Sequence, residues 1–300
     1  MSQLKDRLRT GTFAITAEVV PPRSAGPKAL LAEAEPLRGL VDAINLTDGA
    51  GATTTMSSAA AAAILVAHDL EPVWQITCRD RNRLALNADI LGAAAQGVEN
   101  VLILTGDDTA GGDQPDSKPV FDLNSSQVIT LMRDMRDKKI LPSGKTIVEA
   151  PNFLLGAADM PTDPEPDWQP TGMLSKIEAG AEFAQTQFCF DAGIASRYIQ
   201  RLVDAGVTEK LGVLLGVGPI ASAKSAHWMN KNLYGVDIPE HIIERIESAG
   251  DSKAQKQEGI KICAELIDQF KPIDGLGGVH IMAPAASSQS IVKVLNSSEQ

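Results

Sequence analysis

The sequence predicts an α/β fold: a single (β/α)8 TIM barrel over residues 1–300, with extra helices near the C-terminus. Three observations predict it. Segments rich in β-branched residues alternate with segments of helical periodicity, eight times over. No shift of composition and no linker divides the chain. Eight strand–helix units in about 250–300 residues match a parallel barrel closed by right-handed crossovers. A doubly wound open sheet is the rival. Such a sheet usually carries G-x-G-x-x-G after its first strand, and here PPRSAGP follows instead.

The elements follow in order. Residues 13–20 (FAITAEVV) form a first strand stopped by Pro21-Pro22. Residues 27–40 space Leu30, Leu31, Ala34, Leu37 and Leu40 as a helix does. Residues 42–47 (DAINLT) are the second strand, ended by Asp48-Gly49. An Ala-rich helix spans 57–68, since Ala costs least to order helically. Residues 72–77 (PVWQIT) are the third strand, 83–95 a helix, and 100–104 (NVLIL) the fourth strand, running into Thr105-Gly106-Asp107-Asp108. Residues 109–119 read as a long loop, a class that is usually functional or mobile. A helix at 123–137 precedes a fifth strand at 146–150 (TIVEA). A second long loop covers 159–170 and a helix 173–181. The sixth strand is 183–190 (FAQTQFCF), followed by a helix at 192–205 and the seventh strand at 211–217. Helices at 221–231, 239–248 and 253–270 lead to the eighth strand, 278–282 (GVHIM), and a final helix at 287–296.

Composition narrows the function. With 44% hydrophobic and 22% charged residues the chain is globular. Aromatics at 4% disfavour a β-sandwich or a base-stacking protein. A net charge of −11 repels nucleic acid and anionic membrane, so a small-molecule partner is expected. Cys78, Cys189 and Cys263 are far apart and form no C-x-x-C, which argues for a reducing compartment without disulfides or zinc. Cys78 and Cys189 read as small packing groups. The first residues lack the apolar core of a signal peptide. The most apolar stretch, 59–67, is much shorter than the roughly 20 residues of a membrane span. A cytoplasmic enzyme or binding protein is expected.

In such a barrel, chemistry gathers at the C-terminal ends of the strands. The polar residues there are Glu18, Thr47, Asp48, Gln75, Thr77, Thr105, Asp107, Glu149, Asn152, Gln185, Gln187 and His280, and strand seven ends in a bare Gly216-Val217-Gly218-Pro219. Glu18 stands among Ile15, Ala17, Val19 and Val20, where a carboxylate is costly unless paired or functional. Apolar surroundings raise a carboxylate's pKa and make a neutral acid available; an ion pair with Arg23 or a helix lysine is the alternative. Asp107 suits either a ligand contact or a turn aspartate. Gln185 and Gln187 share a strand face and need either a ligand or backbone partners. Arg79, Arg81 and Arg83 stand at a helix start, where Arg81 could meet a phosphate, although internal Arg–Asp pairs on a solvated loop are the commoner outcome. His280 reads as a satisfied core histidine, Trp228 and Tyr234 as packing residues, and Trp168 as a lid or wall residue. No two histidines sit at metal spacing, so no metal site is expected.

These residues carry a resemblance. FAITAEVVPPR (13–23) resembles the opening strand of the methylenetetrahydrofolate reductases, whose hallmark is F-E-[FV]-x-P-P-[RK]. Asn45-Leu46-Thr47-Asp48 is similar to that family's second strand, and Leu104-Thr105-Gly106-Asp107 to its L-x-G-D. Glu178-Ala179-Gly180-Ala181 and residues 185–191 (QTQFCFD) resemble its D-A-G-A…T-Q-x-x-[FY]-D, and residues 216–219 its G-x-x-P. The motifs appear in order across the whole chain and are specific jointly rather than singly.

The resemblance implies a flavin enzyme that transfers hydride between the reduced flavin N5 and the one-carbon unit of folate. Glu18 would be the general acid at N10 of 5,10-methylenetetrahydrofolate, opening the imidazolidine ring to a 5-iminium cation. Asp107 would touch pterin and flavin and lower the flavin potential. Gln187 would hydrogen-bond the folate. Thr47, Gln75, Thr105, Gly106 and Lys176 would line the cofactor, Lys176 at its ribityl or phosphate groups. Many bacterial members carry His at the position of Gln75, Arg at Thr105 and an aromatic at Ala223; QITCRDRNRLAL and KPVFDL resemble a divergent bacterial branch that includes one-carbon enzymes of acetogens and methylotrophs. FAD is the implied cofactor, with FMN as alternative. The electron partner is NADH, NADPH or a partner subunit, a homo-oligomer is open, and the reaction could run in either direction. A folate-binding subunit of a methyltransferase or redox complex is the competing reading.

Overall fold

The computed structural model describes residues 2–283 and 287–298. Eight parallel strands close into one barrel in chain order, with β1 hydrogen-bonded to both β2 and β8. The strands are β1 (Ala14–Val19), β2 (Ala43–Leu46), β3 (Pro72–Thr77), β4 (Asn100–Leu104), β5 (Leu154–Asp159), β6 (Phe183–Phe188), β7 (Gly212–Val217) and β8 (Gly278–Ile281). The helices are α1 (Gln3–Thr10), α2 (Lys28–Ala34), α3 (Ser58–Val66), α4 (Arg83–Ala95), α5 (Ser125–Asp137), α6 (Thr171–Ala179), α7 (Ala192–Asp204), α8 (Ala223–Asn232), α9 (Glu240–Ser248), α10 (Ser252–Phe270) and α11 (Ser288–Ser298). The barrel and the extra helices α8–α10 between β7 and β8 are as the sequence predicts.

Two elements differ. The first is α1, which the alternation did not announce. Ser2 caps it by accepting from the Lys5 amide, and Gly11 ends it at φ 68°, a left-handed conformation glycine adopts freely. Its Leu4 plugs the barrel floor, fully buried among Ala14, Ala43, Val73, Leu102, Leu154, Phe183 and Leu214. Burying one such leucine contributes about 2 kcal/mol.

The second is the fifth strand. It is not 146–150 but β5, Leu154–Asp159. Thr146 makes only an isolated bridge to Ile140, and Val148 is 95% exposed. The β-branched TIVE run lost to LLGAAD, whose small residues suit a crowded wall. A Cβ on Gly156 would stand 2.3 Å from the Phe183 ring, so the floor residue of β6 occupies the space β5 leaves open. Here packing overrides strand propensity. Consequently Glu149 and Asn152 do not stand at the mouth. Both are exposed, and Asn152 lies at the opposite end, beside Ser2, Lys5 and Asp6.

Inward residues stack in layers because alternate strand residues share a face. Above the apolar floor comes a buried polar layer: Thr16, Asn45, Gln75, Gln185 and His280. Glu18, Thr47, Thr77 and Gln187 continue the same faces toward the mouth. Outward residues such as Ala17, Val19, Ile44, Leu46, Trp74 and Ile76 pack against the helices in the larger core.

Candidate active site

Glu18 ends the inward face of β1. Its Oε2 accepts from Gln75 Nε2 at 3.3 Å and stands 3.9 Å from His280 Nε2. Its side chain is 14% exposed, open enough to meet a ligand at the mouth. The sequence suggested apolar surroundings or an ion pair with Arg23. The structure shows neither: the neighbours are an amide and an imidazole, and Arg23 faces Asp113 and the Thr54 carbonyl instead.

Below it the polar layer is satisfied within itself. Asn45 Nδ2 donates to Gln185 Oε1 at 2.6 Å, and Gln185 Nε2 donates to Asn45 Oδ1 at 3.1 Å and to Thr16 Oγ1 at 2.9 Å. Thr16 Oγ1 lies 2.9 Å from His280 Nδ1. The protein partners of Gln185 are therefore side chains of β1 and β2 rather than backbone. His280 is indeed buried and partnered, but it also faces Glu18.

On β2, Thr47 is buried and its Oγ1 has no hydrogen-bond partner. An orphaned hydroxyl at the mouth costs about 1–3 kcal/mol unless a ligand meets it. Next to it Asp48 is a hub: it accepts from Ser58 Oγ, Thr77 N and Thr77 Oγ1 at 2.9 Å and from Arg81 Nη1 at 2.6 Å. Burial works to raise its pKa, but the Arg81 guanidinium and the Thr77 and Ser58 donors together hold the carboxyl below its ordinary value. Arg81 also pairs with Asp89 at 2.7 Å and is 14% exposed. Its charge is engaged by two aspartates. Arg79 pairs with Asp80 and Arg83 with Asp122. The internal Arg–Asp pairing holds for all three, although Arg79 is buried and Arg81 half-buried rather than solvated.

Asp107 is exposed at the end of β4, where Oδ2 accepts from the Gly51 amide at 2.7 Å. Arg79 Nη1 bridges the Gly49 and Asp107 carbonyls at 3.3 Å each. The two loops thus share one clamp. Gly106 fits over it only because it has no side chain: φ is +100°, and a Cβ would stand 2.8 Å from Arg79 Cβ. Thr105 is exposed and its carbonyl accepts from Cys78 N at 3.1 Å. A cavity of about 260 Å³ opens beside this clamp, lined by Asp48, Thr53, Met56, Arg79, Asp113 and Ser117 among others.

Across the mouth, Gln187 Nε2 reaches the Tyr234 carbonyl at 3.4 Å. Lys176 donates to the Ala158 carbonyl and pairs with Asp159 at 3.2 Å, and Tyr198 donates a short hydrogen bond to the same carboxylate. Asp159 is the true end of β5, which the displaced strand assignment concealed. Trp168 packs on Tyr198 with ring centroids 5.9 Å apart, so it belongs to the wall. Trp228 and Tyr234 are not packing residues: they are 57% and 85% exposed. Ala223 is buried and its amide donates to Gln255 Oε1. All three cysteines are free and buried, and burial pushes the Cys78 and Cys189 thiols up to about 11. Among the described residues no cluster of three His, Cys, Asp or Glu could hold a metal, and no helix is long and apolar enough to cross a membrane.

The model of the family described as methylenetetrahydrofolate reductase matches residues 3–299. The chain belongs to the methylenetetrahydrofolate reductase family. Methylenetetrahydrofolate reductase 2 of Schizosaccharomyces pombe is 24% identical over 237 residues, which cover 75% of this chain and 34% of that protein. The 5,10-methylenetetrahydrofolate reductase of Escherichia coli K12 is 24% identical over 199 residues, 66% of this chain and 60% of that one. This member of the methylenetetrahydrofolate reductase family thus spans only part of the length of these relatives. A Clostridium thermocellum protein that binds two copies of 5-methyl-5,6,7,8-tetrahydrofolic acid shares its fold, with a TM-score of 0.67 at 14% identity, covering 98% of this chain and 97% of that one.

Proposed function

We propose that this chain is a single-domain cytoplasmic flavoenzyme that interconverts 5,10-methylenetetrahydrofolate and 5-methyltetrahydrofolate. The observation that carries the reading is Glu18: a carboxyl at the barrel mouth, at the end of the inward face of β1 and anchored through one oxygen, in a member of this family. The folate-binding neighbour of the same fold is consistent with the substrate class.

A flavin fits the residues present. The orphaned hydroxyl of Thr47 offers a hydrogen bond to a ring edge. Gln75, Thr105, Gly106 and Asp107 would border the same ring, and Lys176 its ribityl or phosphate groups. Bound there, FAD, or FMN in its place, would supply the hydride, drawn from NADH, NADPH or a partner subunit. Glu18 gives its proton to N10, so that the C–N10 bond opens and the iminium cation forms at N5. Asp107 supports that cation through its charge. Gln187 turns its amide to the pterin edge. In the reverse direction Glu18 takes the proton back from N10. A homo-oligomer or a partner subunit is compatible with this scheme.

Glu18→Gln tests it. The purified protein should show flavin absorption, and the variant should keep it together with flavin reduction by the donor. Only the folate half-reaction needs a proton on N10, so its rate should fall about 10²–10⁴-fold. A colourless parent that binds no added flavin, or a variant with parental folate turnover, overturns the proposal.

A further inference from the structure

We propose that His280 is a positioning residue for Glu18, holding Oε2 inside the barrel so that Oε1 carries the working proton. The proposal rests on the reading of Glu18 as the general acid. His280 is 2% exposed, whereas His68, His227 and His241 lie on the surface. Buried imidazoles need a reason, and the register supplies one: β8 sets His280 beside Thr16, two residues before Glu18 on the same inward face.

The network around the ring assigns its proton. The Gln185 amide donates to both Asn45 Oδ1 and Thr16 Oγ1. Thr16 accepts there and has its own proton left to give. His280 Nδ1 lies at 2.9 Å from that hydroxyl, while the Val279 carbonyl is at 3.5 Å. Gln185 Nε2, a donor only, stands 3.4 Å from the same nitrogen. Of these two acceptors Nδ1 is the nearer, and the proposal gives it the Thr16 proton, so that the ring carries its hydrogen on Nε2. That nitrogen faces Glu18 Oε2 at 3.9 Å. The gap is longer than a hydrogen bond in the free protein, as catalytic contacts often are before substrate binds.

The contacts of the Glu18 carboxyl fall on Oε2, one from Gln75 and one from His280. When the proton moves from Oε1 to N10, negative charge arrives on the carboxylate. Two N–H groups then meet it at Oε2, and no electron is exchanged. Around the pair β1 contributes Thr16, β2 Asn45, β3 Gln75, β6 Gln185 and β7 Gly216; Glu18 is the titratable partner that faces the ring.

Two near-isosteres separate the ring nitrogens. His280→Gln sets an amide near the place of Nε2 and keeps a donor for Glu18. His280→Asn sets one near Nδ1 and keeps only the contact with Thr16. The Asn variant should lose about ten- to a hundred-fold in the folate kcat, the range of a lost hydrogen bond to a charged group, with KM and flavin reduction unchanged. The Gln variant should recover most of that loss. Parental kcat in the Asn variant, equal impairment of both, or a better Asn than Gln variant overturns the proposal. Nitrogen-15 NMR of the parent's histidines checks the geometry without relying on variants: one buried ring with its proton on Nε2 is expected, and a proton on Nδ1 overturns it. A parent without folate turnover, or an active Glu18→Gln variant, refutes the role of Glu18 itself, and the two failures are thereby distinguished.

Discussion

Replacing Asp48 with Asn removes one charge from a buried pair and leaves Arg81 facing an amide. The Asp48 side chain is 8% exposed and Arg81 is 14% exposed, so solvent screens little of the loss. Asp89, itself 39% exposed, remains as the second partner of Arg81 and softens it. Breaking a buried pair at one end costs about 3–5 kcal/mol. For 300 residues the unfolding entropy is about 0.6 kcal/mol/K. The melting temperature should therefore fall by about 5–8 °C at pH 7. The dependence on pH gives a sharper test. The fold lowers the carboxyl of Asp48, so its contribution is complete above the unfolded value, about 3.9, and is lost as pH falls through the lower folded value. Melting curves of parent and variant from pH 7 down to pH 3 should start far apart and converge below about pH 4. A variant that melts with the parent at pH 7, or a gap that stays constant with pH, would refute the assignment of Arg81 to structure and reopen it as a phosphate contact.

Trp168→Ala should lower the melting temperature by about 3 °C, from about 2 kcal/mol of lost contact with Tyr198, while the folate KM stays within two-fold; a raised KM with unchanged melting would make the loop a lid. Asp107→Asn keeps an acceptor for the Gly51 amide but removes the charge. On the proposed placement it should raise the flavin potential by about 20 mV, the two-electron equivalent of about 1 kcal/mol for a screened charge, and slow folate reduction. A redox titration with an unchanged or lower potential would count against that placement.

Much of the barrel was legible because each β-rich run met a helical run of matching length. Helix α1 does carry a local signal: Ser2 before Leu4 and Leu8 at helical spacing is a capped amphipathic start. The fifth strand was not legible from propensity. LLGAAD is chosen by the Phe183 ring, a partner met only in the closed barrel. Losing that strand also hid Asp159, and with it the ion pair that engages Lys176. Asp48 was visible as a strand-end residue, but its union with Arg81 spans 33 positions and follows no local pattern.

Glu18 shows where local sequence misleads even when it selects the right residue. Ile15, Ala17 and Val19 surround it in the chain, yet they point outward and pack against the helical layer. Alternation along a strand guarantees this: nearest neighbours in sequence lie on the opposite face. The environment of the carboxyl is set instead by Gln75 from β3 and His280 from β8, strands that reach it only through barrel closure. An apolar sequence context was therefore a sound signal that Glu18 sits on a core strand, and no measure of its surroundings. Those surroundings are polar and hold one of its oxygens. For a group that must release and regain a proton, a polar site with an amide donor on one oxygen suits the task better than an apolar pocket, which would oppose the charge each time it forms.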